Sequence, residues 1–363
     1  MSTIDSTQWQ RIREVIRSPL SLSLSLSAIM LLSASPAQAM HLAEGLLPLP
    51  WAGLWFAVAL PFLVLGIWRL KQMGREDLSV KPLVGLLAAV VFVVSCMPIP
   101  VPLVGTCSHP CGTGMAAVLV GPFISVLIAT VALLIQALFL AHGGLSTLGA
   151  DVVSMGVVGS LAGWLVFAGL RRFGVGLGVA AFMAGVAADW GTYLTTALEL
   201  ATGLAGHDSF IPIFGRITLA FVPTQLPLGI LEGAMTAGMV LLLQKKRPDI
   251  LLRMGVVGKA SGQALAMSLL TIILMTALLQ PVSASAEKWR GVDEAVVNKI
   301  ATEHGREARP PLINTDQGDL LPFLFLLAGS VGGFVAGYSW RKLVSERRMS
   351  EPAGSVSSPG LSE

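Results

Sequence analysis

The stretch WAGLWFAVALPFLVLGIWRL, residues 51–70, decides the fold class. About 20 predominantly apolar residues are what a helix needs to cross a bilayer, and this run holds a single charge, Arg69, near its end. Lys71, Arg75 and Lys81 follow closely. Such a basic cluster belongs on the cytoplasmic side, so the start of the run faces outward. Further apolar blocks recur at about 82–97, 116–140, 152–170, 175–204, 217–243, 260–279 and 320–338. Only 12% of the 363 residues are charged and 54% are hydrophobic, whereas a soluble domain carries about 25% charge. A membrane barrel would alternate polar and apolar residues in short segments. Long continuous runs instead predict an all-α, polytopic membrane helical bundle. The net charge of +3 then reflects basic loops and does not mark a nucleic-acid surface.

Upstream, residues 1–39 have the three parts of a secretory leader. Arg11, Arg13 and Arg17 are basic, the apolar region 20–32 is short and diluted with serine, and Ala37 and Ala39 form a small-residue cleavage site. An uncleaved anchor is the alternative, but the short apolar region favours cleavage after Ala39. Met40 then becomes the N-terminus, followed at once by His41. A free amine, the His41 backbone nitrogen and the His41 imidazole can close adjacent chelate rings around one ion. Three nitrogens in a plane suit Ni(II), Cu(II) or low-spin Co(II) rather than Mg(II) or Ca(II). His109, in the Gly- and Pro-rich stretch 105–114, is the candidate for the fourth position. Met40, His41 and His109 are thus the expected metal ligands, with Glu44 as an acceptor that could orient His41.

Other polar residues read more weakly. His142 falls at the end of block 116–140, which the crossing count places near the cytoplasm, and packing or partner contact is favoured for it over ligation. Asp189, Glu199 and Glu232 sit inside apolar blocks as either a cation pathway or interhelical bonding partners, the second being favoured. His207 and His304 are expected in solvent. Cys107 and Cys111 flank His109 and could be a thiolate site, a disulfide or spectators. No Walker A sequence is present: the stretch 255–260 has the wrong glycine spacing and no Ser or Thr after Lys259. Any ATP hydrolysis must come from another chain. With Met40 outside, the blocks leave Arg171–Arg172 and Lys245–Lys246–Arg247 on the wrong side. One extra crossing or half-crossing between Pro82 and Asp151 would correct both. Beyond 247 the chain reads as a linker, two helices bracketing a polar loop at 281–319, and a disordered tail at 349–363.

Met40-His41-x-x-Glu44-Gly45, Ser108-His109-Pro110-x-Gly112-Thr113-Gly114 and the run from Leu140 to Gly149 (LAHGGLSTLG) resemble the CbiM/NikM family over about residues 40–247. These are substrate-binding membrane components of energy-coupling-factor transporters for cobalt and nickel. The resemblance implies a seven-helix core, which agrees with the missing crossing. It also implies ion binding through the Met40 amine, the His41 nitrogens and His109, with Co(II) or Ni(II) as transported substrate and no organic cofactor. Partners would be a transmembrane coupling protein and ATP-binding subunits in the bacterial inner membrane. Cys111 stands where the family motif commonly has threonine. The C-terminal hairpin, 248–348, resembles a fused CbiN-type component and inclines the substrate towards cobalt, in keeping with a role in cobalamin biosynthesis. A membrane metalloenzyme is disfavoured because a planar nitrogen set leaves little room for a bound water. An uncoupled channel or sensor is the remaining alternative.

Overall fold

A computed structural model of the chain describes residues 41–96, 99–101, 106–140, 142–206, 209–256, 298–310, 313 and 320–350. The expected leader, Met40, His207, the apolar block 260–279 and the tail beyond 350 lie outside those residues. The remainder is helical apart from one short hairpin, as the apolar blocks predict.

Helix α1 spans Leu49–Glu76, and Pro50 at its first turn costs no hydrogen bond. Its buried positions are all small: Ala52, Ala59, Gly66 and Gly74. This stripe lets the neighbouring helix approach, and a Cβ at Gly66 would lie 2.5 Å from the Phe123 carbonyl oxygen. Leu60, Val64 and Trp68 remain exposed on the other face, where a bilayer solvates them at no cost. Helix α2 is Val80–Cys96. The Pro98–Pro102 region that follows cannot continue a helix. It instead supplies β1, Ile99–Val101, paired antiparallel with β2, Thr106–Ser108.

Apolar block 116–140 is not one helix. It is divided into α3, Thr113–Val120, and α4, Pro122–Phe139. Gly121 sits between them at φ +86° and Pro122 opens α4. A positive φ followed by a residue without an N–H ends one helix and starts the next. This break supplies the missing crossing. Residues 109–120 run from the histidine end of the bundle to the end holding Arg171, and α4 returns. Gly121, Arg171 and Met254 line one cleft there, and Arg253 pairs with Asp77 nearby.

Helix α5 covers Leu148–Arg172, with a π-helical section at Val152–Val158. Helices α6, Leu177–Leu204, and α7, Phe210–Lys246, complete the core. They cross at glycines: Cβ atoms at Gly185 and Gly233 would lie 2.6 and 2.7 Å from the Glu232 and Phe182 carbonyls. With the eight-residue α3 as a half-crossing, the basic ends of α1, α5 and α7 fall on one side, as the positive-inside rule requires. A short helix α8, Pro248–Arg253, lies at that basic end.

Helix α9, Asn298–Glu303, and α10, Leu320–Ser350, follow. Near α10's middle Gly332 meets Val93, and further on Ser339 meets Gly85, so α10 runs antiparallel to α2. The segment 298–310 lies at the opposite end of the bundle from the basic clusters. Arg216 on α7 pairs with Glu303 at 2.8 Å. His304 is half-buried, unlike its expected place in solvent, and its Nδ1 lies 2.8 Å from the Ile300 carbonyl.

A buried histidine cluster

His41 precedes α1, His109 follows β2, and His142 follows α4. The fold brings all three imidazoles to one point, with ring centroids 4.6 Å apart for His41–His109, 4.8 Å for His41–His142 and 5.4 Å for His109–His142. One ring nitrogen from each lies within 4.8 Å of the others. All are buried, at 8%, 1% and 5% exposure. His142 is therefore not near the basic end. The chain reverses at Gly121 and α4 carries it back beside His41.

The segment 41–46 lies on the cluster like a plug held from three sides. Gly144 N–H and the Thr147 hydroxyl both donate to the Leu42 carbonyl, at 2.9 and 2.5 Å. Leu42 N–H donates to Asp151 Oδ1 at 3.1 Å. Arg306 donates to the Leu46 and Gly45 carbonyls at 2.6 and 2.9 Å, and Arg309 N–H to the Glu44 carbonyl at 2.8 Å. The glycine pair 143–144 permits this contact. A Cβ at Gly144 would sit 2.6 Å from the Glu44 backbone, and Gly143 is at φ +86° against His41.

Each ring is oriented by its neighbours. Gln136, fully buried on α4, donates through Nε2 to Ser95 Oγ at 2.7 Å, and the Ser95 hydroxyl donates to the Val91 carbonyl at 2.7 Å. That chain turns Gln136 Oε1 towards His41 Nε2, 2.9 Å away, so Nε2 carries the proton and Nδ1 the lone pair. Glu44 does not orient His41. Its carboxylate instead accepts from Ser146 N–H at 3.1 Å, and Gln136 takes the role expected of it. His109 Nδ1 lies 3.2 Å from the Pro110 carbonyl, which can only accept, leaving the lone pair on Nε2. Ser108 anchors the motif: its hydroxyl accepts from Gln225 Nε2 at 2.9 Å and meets Tyr193 OH at 3.0 Å. His142 Nε2 is buried with no hydrogen-bond partner among the described residues. Burial, followed by the neighbouring imidazoles, pushes His41 and His142 well below the usual imidazole range. Both are neutral at pH 7, the form that ligates a metal.

The buried carboxylates separate into two places. Glu232 accepts N–H bonds from Cys111 at 2.6 Å and Gly112 at 3.0 Å, so it caps the start of α3. Asp189 lies within ligand distance of it, whereas Glu199 lies by Asp151. Cys111 is a buried thiol.

Such a bundle, crossing the membrane many times and converging three buried imidazoles beneath its own N-terminal segment, is a helical membrane protein built around an interior imidazole cluster. Residues 41–250 match the family model CbiM, described as the cobalt uptake substrate-specific transmembrane region. The chain is 68% identical over 324 residues to "Cobalt transport protein CbiM" of Geobacter sulfurreducens, covering 88% of this chain and 94% of that one. It is 60% identical over 223 residues to "Cobalt transport protein CbiM" of Sorangium cellulosum, covering 61% of this chain and 99% of that one. The chain belongs to the CbiM family. The Sorangium protein is thus matched almost end to end by about three fifths of this chain, while the Geobacter match takes in most of the chain.

Proposed function

We propose that this chain is the substrate-capturing membrane component of an ATP-driven energy-coupling-factor importer for Co(II). The metal is bound by four nitrogens: the amine of Met40 after leader removal, the His41 backbone nitrogen, His41 Nδ1 and His109. The carrying observation is the 2.9 Å approach of Gln136 Oε1 to His41 Nε2. The two chelate rings from a chain end to a second-position histidine close through Nδ1. Nδ1 is the nitrogen left with its lone pair when Gln136 accepts from Nε2–H. His142 stands beside the ion as a further imidazole.

Supporting the reading are the family match, the basic ends gathered on one side, and the position of the histidines at the other, outward side. The Geobacter and Sorangium relatives carry cobalt transport in their names. With no Walker A sequence, ATP hydrolysis falls to separate subunits joined through a transmembrane coupling protein, and the chain itself is not an enzyme. Residues 248–348 act as a CbiN-like extension whose loop covers the N-terminal segment through Arg306 and Arg309. Ni(II) is the second reading, because the same four nitrogens accept it and intrinsic affinity favours it.

The test is metal binding by His41→Ala, His109→Ala and a variant with one residue inserted before Met40. All three are expected to lose the stoichiometric ion, and retention in all three overturns the reading. Co-purification with an ATPase and a coupling protein separates an importer component from an uncoupled channel or sensor.

A further inference from the structure

A second donor cluster lies inward of the histidines. One ligand atom each from Cys111, Asp189 and Glu232 lies within 4.8 Å of the others, and the three residues are 1%, 0% and 1% exposed. Asp189 is near the middle of α6 and Glu232 past the middle of α7. Cys111 is two residues from His109 on the same loop, at most about 7 Å away between Cα atoms.

The groups differ in how they are satisfied. Glu232 is held by the backbone N–H groups of Cys111 and Gly112, yet a carboxylate has about four lone-pair sites, so it can also face a cation. Both oxygens of Asp189 are buried without a hydrogen-bond partner among the described residues. A carboxylate left so at membrane depth is costly unless a proton or a cation meets it. Sulfur with two carboxylates suits a divalent transition ion, and the sulfur disfavours Mg(II) and Ca(II).

We infer that Cys111, Asp189 and Glu232 form a second, transit site for the transported divalent metal, one step inward of the histidine site. This rests on the capture reading above. A site with sulfur and oxygen donors binds such an ion differently from a planar nitrogen set, which allows the ion to be handed inward.

The experiment titrates Co(II) into the full, leader-processed chain, recording metal per chain after removal of free ion together with near-ultraviolet absorption. A first equivalent without a thiolate-to-cobalt charge-transfer band, then a second, weaker equivalent with one, is expected. Cys111→Ser should lose the band and Asp189→Asn the second equivalent, each keeping the first, while Cys96→Ser keeps both. The wild-type titration decides without any variant. A single equivalent with no band overturns this inference and leaves the capture reading standing, whereas zero equivalents overturns both. A band that grows with the first equivalent, or that survives in Cys111→Ser, also overturns it.

Discussion

Replacing Gln136 by leucine tests the link between helix packing and metal chemistry. The substitution removes the acceptor 2.9 Å from His41 Nε2 and the donor to Ser95, both inside a fully buried site. Leaving a buried N–H unsatisfied costs about 1–3 kcal/mol, so the metal-free protein should unfold at lower temperature. A second effect is specific to binding. Without Gln136 nothing holds the proton on Nε2, and the ring can rotate or change tautomer so that Nδ1 no longer presents its lone pair. Loss of a group that orients a metal-bound histidine typically costs about 10- to 100-fold in affinity. Gln136→Glu keeps an acceptor at the same place and should bind more tightly than Gln136→Leu. Isothermal titration with Co(II) alongside thermal unfolding of the metal-free protein separates the two effects. If Gln136→Leu loses stability but binds Co(II) with unchanged affinity, the tautomer argument is refuted.

Three further outcomes are expected. His142→Ala should weaken Co(II) binding while leaving one ion per chain, measured by the same titration, because the four-nitrogen set survives without it; unchanged affinity would return His142 to a packing role. Gly144→Ala should displace the N-terminal segment, since its Cβ would meet the Glu44 backbone at 2.6 Å, and the processed protein should then lose stoichiometric metal although its helix content by circular dichroism is kept. The pH behaviour follows from the depressed imidazoles of His41 and His142. Below about pH 6.5 the unfolded chain binds protons that the folded cluster excludes. Metal-free stability should therefore be fully present above that value and fall as the pH falls through it. At pH 7 metal binding should release about two protons, from the Met40 amine and the His41 peptide nitrogen, with none from the imidazoles. Release of three or more, measured by titration in buffers of different ionisation enthalpy, would contradict neutral rings.

Much of this was legible in the sequence, and the exceptions have physical causes. The apolar blocks at 51–70, 152–170, 175–204 and 217–243 each became a spanning helix, because lipid leaves a long apolar run few alternatives. The imbalance of basic ends points to an extra crossing or half-crossing between Pro82 and Asp151, and the short α3 is a half-crossing there. Hydropathy hid its place, since 116–140 is apolar throughout. The Gly121-Pro122 pair was the available signal, as glycine before proline punctuates a helix even in an apolar run. Read without that break, block 116–140 is a single crossing and His142 falls at the wrong end. His41 and His109 stood out by chemistry, one beside an expected chain end and the other in a loop of Gly, Pro and hydroxyls. Gln136 gave no motif, although a lone amide in the apolar stretch of α4 needs a partner there. Glu44 looked closer to His41 in sequence, but the backbone of the 142–147 loop claims its carboxylate.

In the proposed site a new chain end at Met40 supplies the first nitrogen. Intact mass of the purified protein, taken together with its bound metal by elemental analysis, tests this. A chain beginning at Met40 with about one tightly held Co or Ni is expected. Stoichiometric metal on a chain that still carries residues 1–39 would contradict it, because the amine would then be locked in a peptide bond.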